Sequence, residues 1–112
     1  MKVFSGNRII DVPVREVSWW GRFFGLMFRS KKTENLLFDF GRETGVSLHS
    51  FFVFFDFLVI WLDEKNRVLD SQVVRPFRFS VNCGKRFVKI VEIPLNQENR
   101  KISDFFVKSK KV

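Results

Sequence analysis

Apolar and polar residues alternate loosely from Arg8 to Val17, with Ile10, Val12 and Val14 on one side and Asp11, Pro13 and Arg15 on the other. A period of two predicts a strand, and Pro13, which has no N–H to give to a ladder, puts it at an edge or a bulge. The period then changes. Trp20, Phe24, Met27 and Phe28, joined by Trp19, Phe23 and Leu26, recur at helical spacing behind Ser18, a suitable N-cap. This predicts one short helix over 19–28, held by packing because Gly21 and Gly25 each cost it roughly 1 kcal/mol relative to alanine. Residues 29–35 are polar and basic and read as a loop. Leu36-Leu37-Phe38-Asp39-Phe40 is a short strand, followed by a glycine-bracketed turn over 41–45.

From Val46 to Leu62 the chain is almost continuously apolar after His49, a pattern shared by buried strands and buried helices. The choice of apolar residue favours strand. The chain has 16 Phe, 15 Val and 6 Ile in 112 residues, and no Ala or Tyr. Alanine is the best helix former, whereas β-branched and aromatic side chains suit a pleated, half-buried surface. Asp63-Glu64-Lys65-Asn66 then forms a hairpin turn, with Asn66 suited to a left-handed backbone, and residues 67–74 return. Phe77, Phe79 and Val81 alternate with Arg78 and Ser80, which predicts a second hairpin turning at 82–85 and returning over 86–93. Pro94 ends it, 95–101 is a polar loop, and Ile102 to Val107 is expected to add a last short strand.

With 112 residues the chain fits one domain, its core over about 8–107 and a basic tail over 108–112. A chain of this length buries roughly two-thirds of its unfolded surface, so it needs no disulfide or metal. Cys83 is the only cysteine, which leaves no internal disulfide and no partner for zinc chelation. The longest apolar run, Phe51 to Leu62, has 12 residues and includes Asp56, against the roughly 20 that span a bilayer. No transmembrane segment and no secretory run at the N-terminus are recognised, so a cytoplasmic location is expected.

The net charge of +8 is uneven: +2 over residues 1–56 and +6 over 57–112. Between Ser71 and Val91 stand Arg75, Arg78, Lys85, Arg86 and Lys89 with no acid. If one partner class is named, it is anionic, a small ligand or nucleic acid. A basic hairpin edge of this kind, extended by Lys108, Lys110 and Lys111, tracks a phosphate backbone, and interleaved exposed aromatics favour single strands by stacking. The same cations also serve as ordinary solvation of a sheet edge.

No signature of catalysis emerges. His49 is the only histidine, so a nucleophilic triad or most zinc sites would have to use it; between Leu48 and Phe51 it reads as a buried, hydrogen-bonded residue. The alternative gathers His49, Arg42 and Asp63 into a polar pocket for a small molecule or weak catalysis; Asp39, Glu43 and Asp63 converging with His49 would bind a metal or move a proton, against the plainer reading of turn residues and solvated rims. Asp56 is a turn residue or, more sharply, a buried carboxylate with a shifted pKa. The aromatic segment 19–28 fills a core or meets a membrane surface or partner. No cofactor or metal site is expected, and the chain is a monomer or a homodimer.

The order of segments resembles the family known as domain of unknown function 192. The residues that carry the likeness are Gly25-Leu26-Met27-Phe28-Arg29, Leu36-Leu37-Phe38-Asp39-Phe40, His49-Ser50-Phe51-Phe52-Val53, Val59-Ile60-Trp61-Leu62-Asp63 with Arg67-Val68-Leu69-Asp70, Phe87 to Pro94, and Ile102-Ser103-Asp104. Each is weak alone, and their order and spacing make the match specific. Asp56-Phe57-Leu58 departs from the family's proline, aliphatic and aspartate. The resemblance implies a mainly β fold, a small β-sandwich or jelly-roll-like domain with one short helix packed on it, and no established activity.

Overall fold

In the computed structural model the structure describes residues 1–17, 26, 29–50, 52–78 and 80–110, with the side chains of 108–110 left aside. The helix expected over 19–28 lies outside the described residues except for Leu26, which is buried. The described chain is mainly β: two sheets and one helix. β1 (Lys2–Ser5) and β2 (Arg8–Asp11) form an antiparallel hairpin, closed by Gly6 in the left-handed region at φ 62°. β3 (Arg15–Glu16), β4 (Leu36–Thr44), β5 (Phe57–Leu62), β6 (Val68–Val74) and β7 (Phe87–Pro94) make a five-stranded sheet in the order β3-β4-β7-β5-β6. All its pairings are antiparallel except β3 with β4.

β5 explains why that sheet dominates. All six of its residues are buried, because both faces of the sheet are covered. Phe57, Val59 and Trp61 enter one core with Leu36, Phe38, Phe87 and Ile90. Leu58, Ile60 and Leu62 enter the other with Val3, Val12, Val91 and Ile93. Each such side chain contributes about 1.5–3 kcal/mol on burial. The loosely alternating stretch from residue 8 behaves as its period requires: Val12 is fully buried, Ile10 and Val14 pack partly against it, and Asp11, Pro13 and Arg15 are exposed.

Four local expectations are corrected. Residues 102–107 are not a strand but lie within helix α1 (Arg100–Lys110), whose Ile102 and Phe106, spaced i and i+4, close the second core. Six residues hold too little periodicity to separate the two readings. The turn expected over 41–45 is a β-bulge instead: β4 runs through Gly41, whose φ of 72° and N–H bond to Asp39 Oδ1 (2.9 Å) absorb the register shift between Asp39 and Thr44.

The described residues of 46–55 form no strand. Leu48 makes a single bridge to Val81, and the backbone otherwise bonds to 75–78 through Ser50. The described residues of the arm over 77–81 likewise form no strand, since Phe77 has φ 59° and β7 pairs with β4 and β5 instead. The hairpin at Asp63, in contrast, forms as expected. Asp63 Oδ1 accepts from the N–H groups of Lys65 and Arg67 at 2.9 Å each, and Asn66 takes φ 63°. No helix of the described residues is long and apolar enough to cross a membrane.

Candidate functional site

Ser50 is the pivot of the end of the sheet where β6 stops. It is fully buried and makes five hydrogen bonds. Its N–H donates to the Arg78 carbonyl (2.9 Å), and its own carbonyl accepts from the N–H of Phe77 (2.8 Å) and Val53 (3.2 Å). Its hydroxyl donates to the Arg75 carbonyl (2.7 Å) and accepts from the Arg78 N–H (2.6 Å). One side chain thus fastens the apolar segment 49–53 to the basic segment 75–78, which a strand ladder would otherwise have done.

The fastening holds aromatic rings outside the core. Phe52 and Phe77 are 45% exposed and Phe54 is 64% exposed. Phe77 meets Phe54 edge-to-face at 5.3 Å and Phe52 at 6.1 Å. Half-exposed phenylalanines leave about 1 kcal/mol of burial energy each unrealised. Phe52 and Phe77 also sit at φ 55° and 59°, a left-handed backbone that costs a bulky residue on the order of 1–3 kcal/mol. Arg75 and Arg78 flank Phe77, both exposed, and His49 adjoins Ser50. His49 is exposed, not sealed in the core, because the segment it was expected to begin is not a strand.

The remaining candidate residues lie elsewhere. From Arg78 the chain runs back along β6, with Gln72 Nε2 donating to the Asn82 carbonyl (3.1 Å), and Ser47 Oγ hydrogen-bonds Asn82 Oδ1. Lys85 and Arg86 are exposed just before β7, and Arg86 engages Glu43 through Nε (3.8 Å to Oε2) and Nη2 (3.3 Å to the carbonyl). Lys89 is opposite Leu62 in the ladder and donates to Asn66 Oδ1 (2.6 Å). Arg42 is exposed on β4 within the bulge.

Asp63 is bound to Arg67 (2.6 Å to Nε); burial acts upward on its carboxyl, but the hydrogen bonds from Arg67 and Lys65 outweigh it and hold the group below the usual carboxylate range. The β5–β6 ladder runs from Phe57↔Val74 to Leu62↔Val68, so Asp63 and the Ser50 end stand roughly 17 Å apart at about 3.4 Å per residue. The pocket of His49, Arg42 and Asp63 is therefore not assembled around Asp63. Arg75, Arg78 and Lys85 take part in no ion pair among the described residues.

Other chemistry is structural. Cys83 is half-buried, and burial pushes its thiol up, away from the reactive thiolate. Asp56 is exposed and its carbonyl accepts from Leu95 N–H. No group of three or more His, Cys, Asp or Glu among the described residues has the arrangement to hold a metal ion. A cavity of about 580 Å³ is lined by Pro13, Arg15, Thr33, Glu34, Asn35 and Asn99, among others. Its two asparagines exchange amide hydrogen bonds (3.1 and 2.9 Å) and give their other donors to the carbonyls of Pro13 and Pro94 (2.8 Å each). Their donors are thus used up holding β3, β4 and the start of α1 together.

Glu92, absent from the sequence reading, is the most unusual ionisable group. It lies in β7 between Leu36 and Val59, is buried, and its Oε1 has no hydrogen-bond partner among the described residues. Burial pushes its pKa up to about 8, against a weaker opposing pull from Arg29. Trp61, diagonal to it on the same face, has an Nε1 with no partner among the described residues. The signal was present in the sequence as one acid inside an otherwise apolar 90–94.

Comparison with known proteins agrees with this architecture. The family model DUF192, described as an uncharacterised ACR, matches residues 3–102. The UPF0127 protein of Thermococcus sibiricus is 35% identical over 86 residues, 74% of this chain and 52% of that protein. UPF0127 protein TK1120 of Thermococcus kodakarensis is 39% identical over 59 residues, 51% of this chain and 38% of that protein. The chain thus spans about half or less of the length of these curated relatives. Among solved structures, a candidate transcription regulator from Sinorhizobium meliloti 1021 has a TM-score of 0.75 at 16% identity, covering 91% of this chain and 83% of the other. A protein of unknown function from Novosphingobium aromaticivorans has 0.67 at 14%, covering 91% and 76%. At such identities the likeness is one of fold.

Proposed function

We infer that the chain, which belongs to the DUF192 family, is a binding domain that takes an anionic ligand through Arg75 and Arg78 at the Ser50 end of the sheet. One observation carries the reading: both side chains are exposed on a segment whose backbone Ser50 immobilises, within a stretch, 71–91, that contains no acid. Pre-setting the backbone lowers the ordering cost that a flexible basic loop meets on binding. Lys85 and Arg86 precede β7 at the opposite end of the sheet, where Leu62 pairs with Lys89, and Arg86 and Lys89 are already engaged by Glu43 and Asn66.

The test is titration of the chain with inorganic polyphosphate at two salt concentrations. Affinity is expected to fall as salt rises, because each cation neutralising a phosphate releases condensed counterions. Arg75→Ala with Arg78→Ala is expected to flatten that dependence. Absence of binding at low salt refutes the reading.

A further inference from the structure

We propose that Phe52, Phe54 and Phe77 form a stacking platform for unpaired bases, so that the anion held by Arg75 and Arg78 is the backbone of a single-stranded nucleic acid. This rests on the anion-binding reading above and adds the class of ligand to it.

Three observations converge. The rings form one group, linked edge-to-face through Phe77 at 5.3 and 6.1 Å, and they remain 45–64% exposed, outside both cores. The backbone around the platform is tied down, since Ser50 bonds the backbone of Val53, Arg75, Phe77 and Arg78, and Phe52 and Phe77 are held in left-handed conformations that packing alone does not reward. Cations flank the aromatics: Arg75 and Arg78 stand two residues before and one after Phe77 and form no ion pair among the described residues.

Aromatic faces bracketed by unpaired guanidiniums match a chain that alternates flat bases with phosphates. A duplex offers the phosphates but keeps its base faces stacked inside. An apolar protein surface would match the rings and leave both arginines facing no counter-charge. A lipid surface is the remaining competitor, since it too pairs an apolar layer with anionic groups.

The experiment measures affinity for four probes at low salt. They are an oligothymidylate of about ten nucleotides, an abasic deoxyribose-phosphate strand of the same length, a duplex, and vesicles of phosphatidylserine. The oligothymidylate is expected to bind at least tenfold more tightly than the abasic strand or the duplex. Phe54→Leu, which keeps an apolar side chain at the most exposed ring and removes its π-face, is expected to weaken oligothymidylate binding on the order of tenfold and to leave the abasic strand unchanged.

Phe54→Trp is expected to retain binding, and denaturation midpoints of both variants report that the fold survives. Equal affinity for base-bearing and abasic strands, with polyphosphate still bound, overturns the platform and leaves the anion site standing. Loss of every polyanion overturns both. Vesicle binding without oligothymidylate binding overturns the platform in favour of a lipid surface.

Discussion

Glu92→Gln should make the protein more stable at neutral pH, an unusual result for a substitution in a central strand. The wild-type carboxyl has an ordinary value of 4.5 and is raised to about 8 in the fold, because burial between β4 and β5 removes the water that would solvate its charge. Below about pH 4.5 both folded and unfolded chains carry the proton, and the group costs the fold no proton-linked energy. Between 4.5 and 8 the unfolded chain releases a proton that the folded chain retains, so stability falls by about 1.4 kcal/mol per pH unit.

At pH 7 the accumulated loss is about 3 kcal/mol, a large part of the 5–15 kcal/mol typical of a domain. Glutamine has nearly the same shape and does not titrate. Guanidinium denaturation of both proteins from pH 5 to 8 isolates the effect, because the other carboxylates contribute equally and cancel in the difference. The variant's advantage should grow steadily with pH and level off near 8. Parallel curves across that range would refute the reasoning, and would mean that Arg29, whose charge opposes the shift, neutralises the carboxylate in the fold.

Two other substitutions test how the loops are fastened. Ser50→Ala removes a hydroxyl that donates to Arg75 and accepts from Arg78 in a fully buried position; a loss of about 1–3 kcal/mol is expected in chemical denaturation. Asn99→Ala leaves the Asn35 amide and the Pro94 carbonyl short of partners, so Asn35→Ala and Asn99→Ala in a double-mutant cycle should show coupling of about 1 kcal/mol or more. Additive effects of those two changes would show that the pair is not a unit.

The sheet's centre was legible in the sequence because its signals are local and long. Phe57 to Leu62 is an unbroken run of large apolar residues, and Asp63 to Asn66 holds the turn chemistry that reverses it. Both can be read without knowing what covers them. The failures occurred where non-local contacts decide. Val46 to Phe55 has strand composition, but Ser50 commits its backbone to 75–78, and nothing in the local pattern marks that serine as different from any other. Ile102, Phe105 and Phe106 have helical spacing, but only within a window too short to be decisive. The basic residues of 71–91 are plain in the sequence, but where they stand on the sheet is not. Their division between two ends of the sheet depends on the return path of 78–86, which the strand pattern misread as a hairpin arm.

That return path also explains why an exposed aromatic cluster is compatible with a stable fold. The two cores on either face of β5 and β7 bury the large side chains that hold the sheet, and neither requires Phe52, Phe54 or Phe77. Strain at two left-handed phenylalanines, on the order of 1–3 kcal/mol each, is offset in part by five hydrogen bonds to one buried serine. A chain selected for stability alone would do better by replacing these residues with polar ones that favour turns. The rings therefore need a reason outside the fold, and the arginines beside them give that reason a charge.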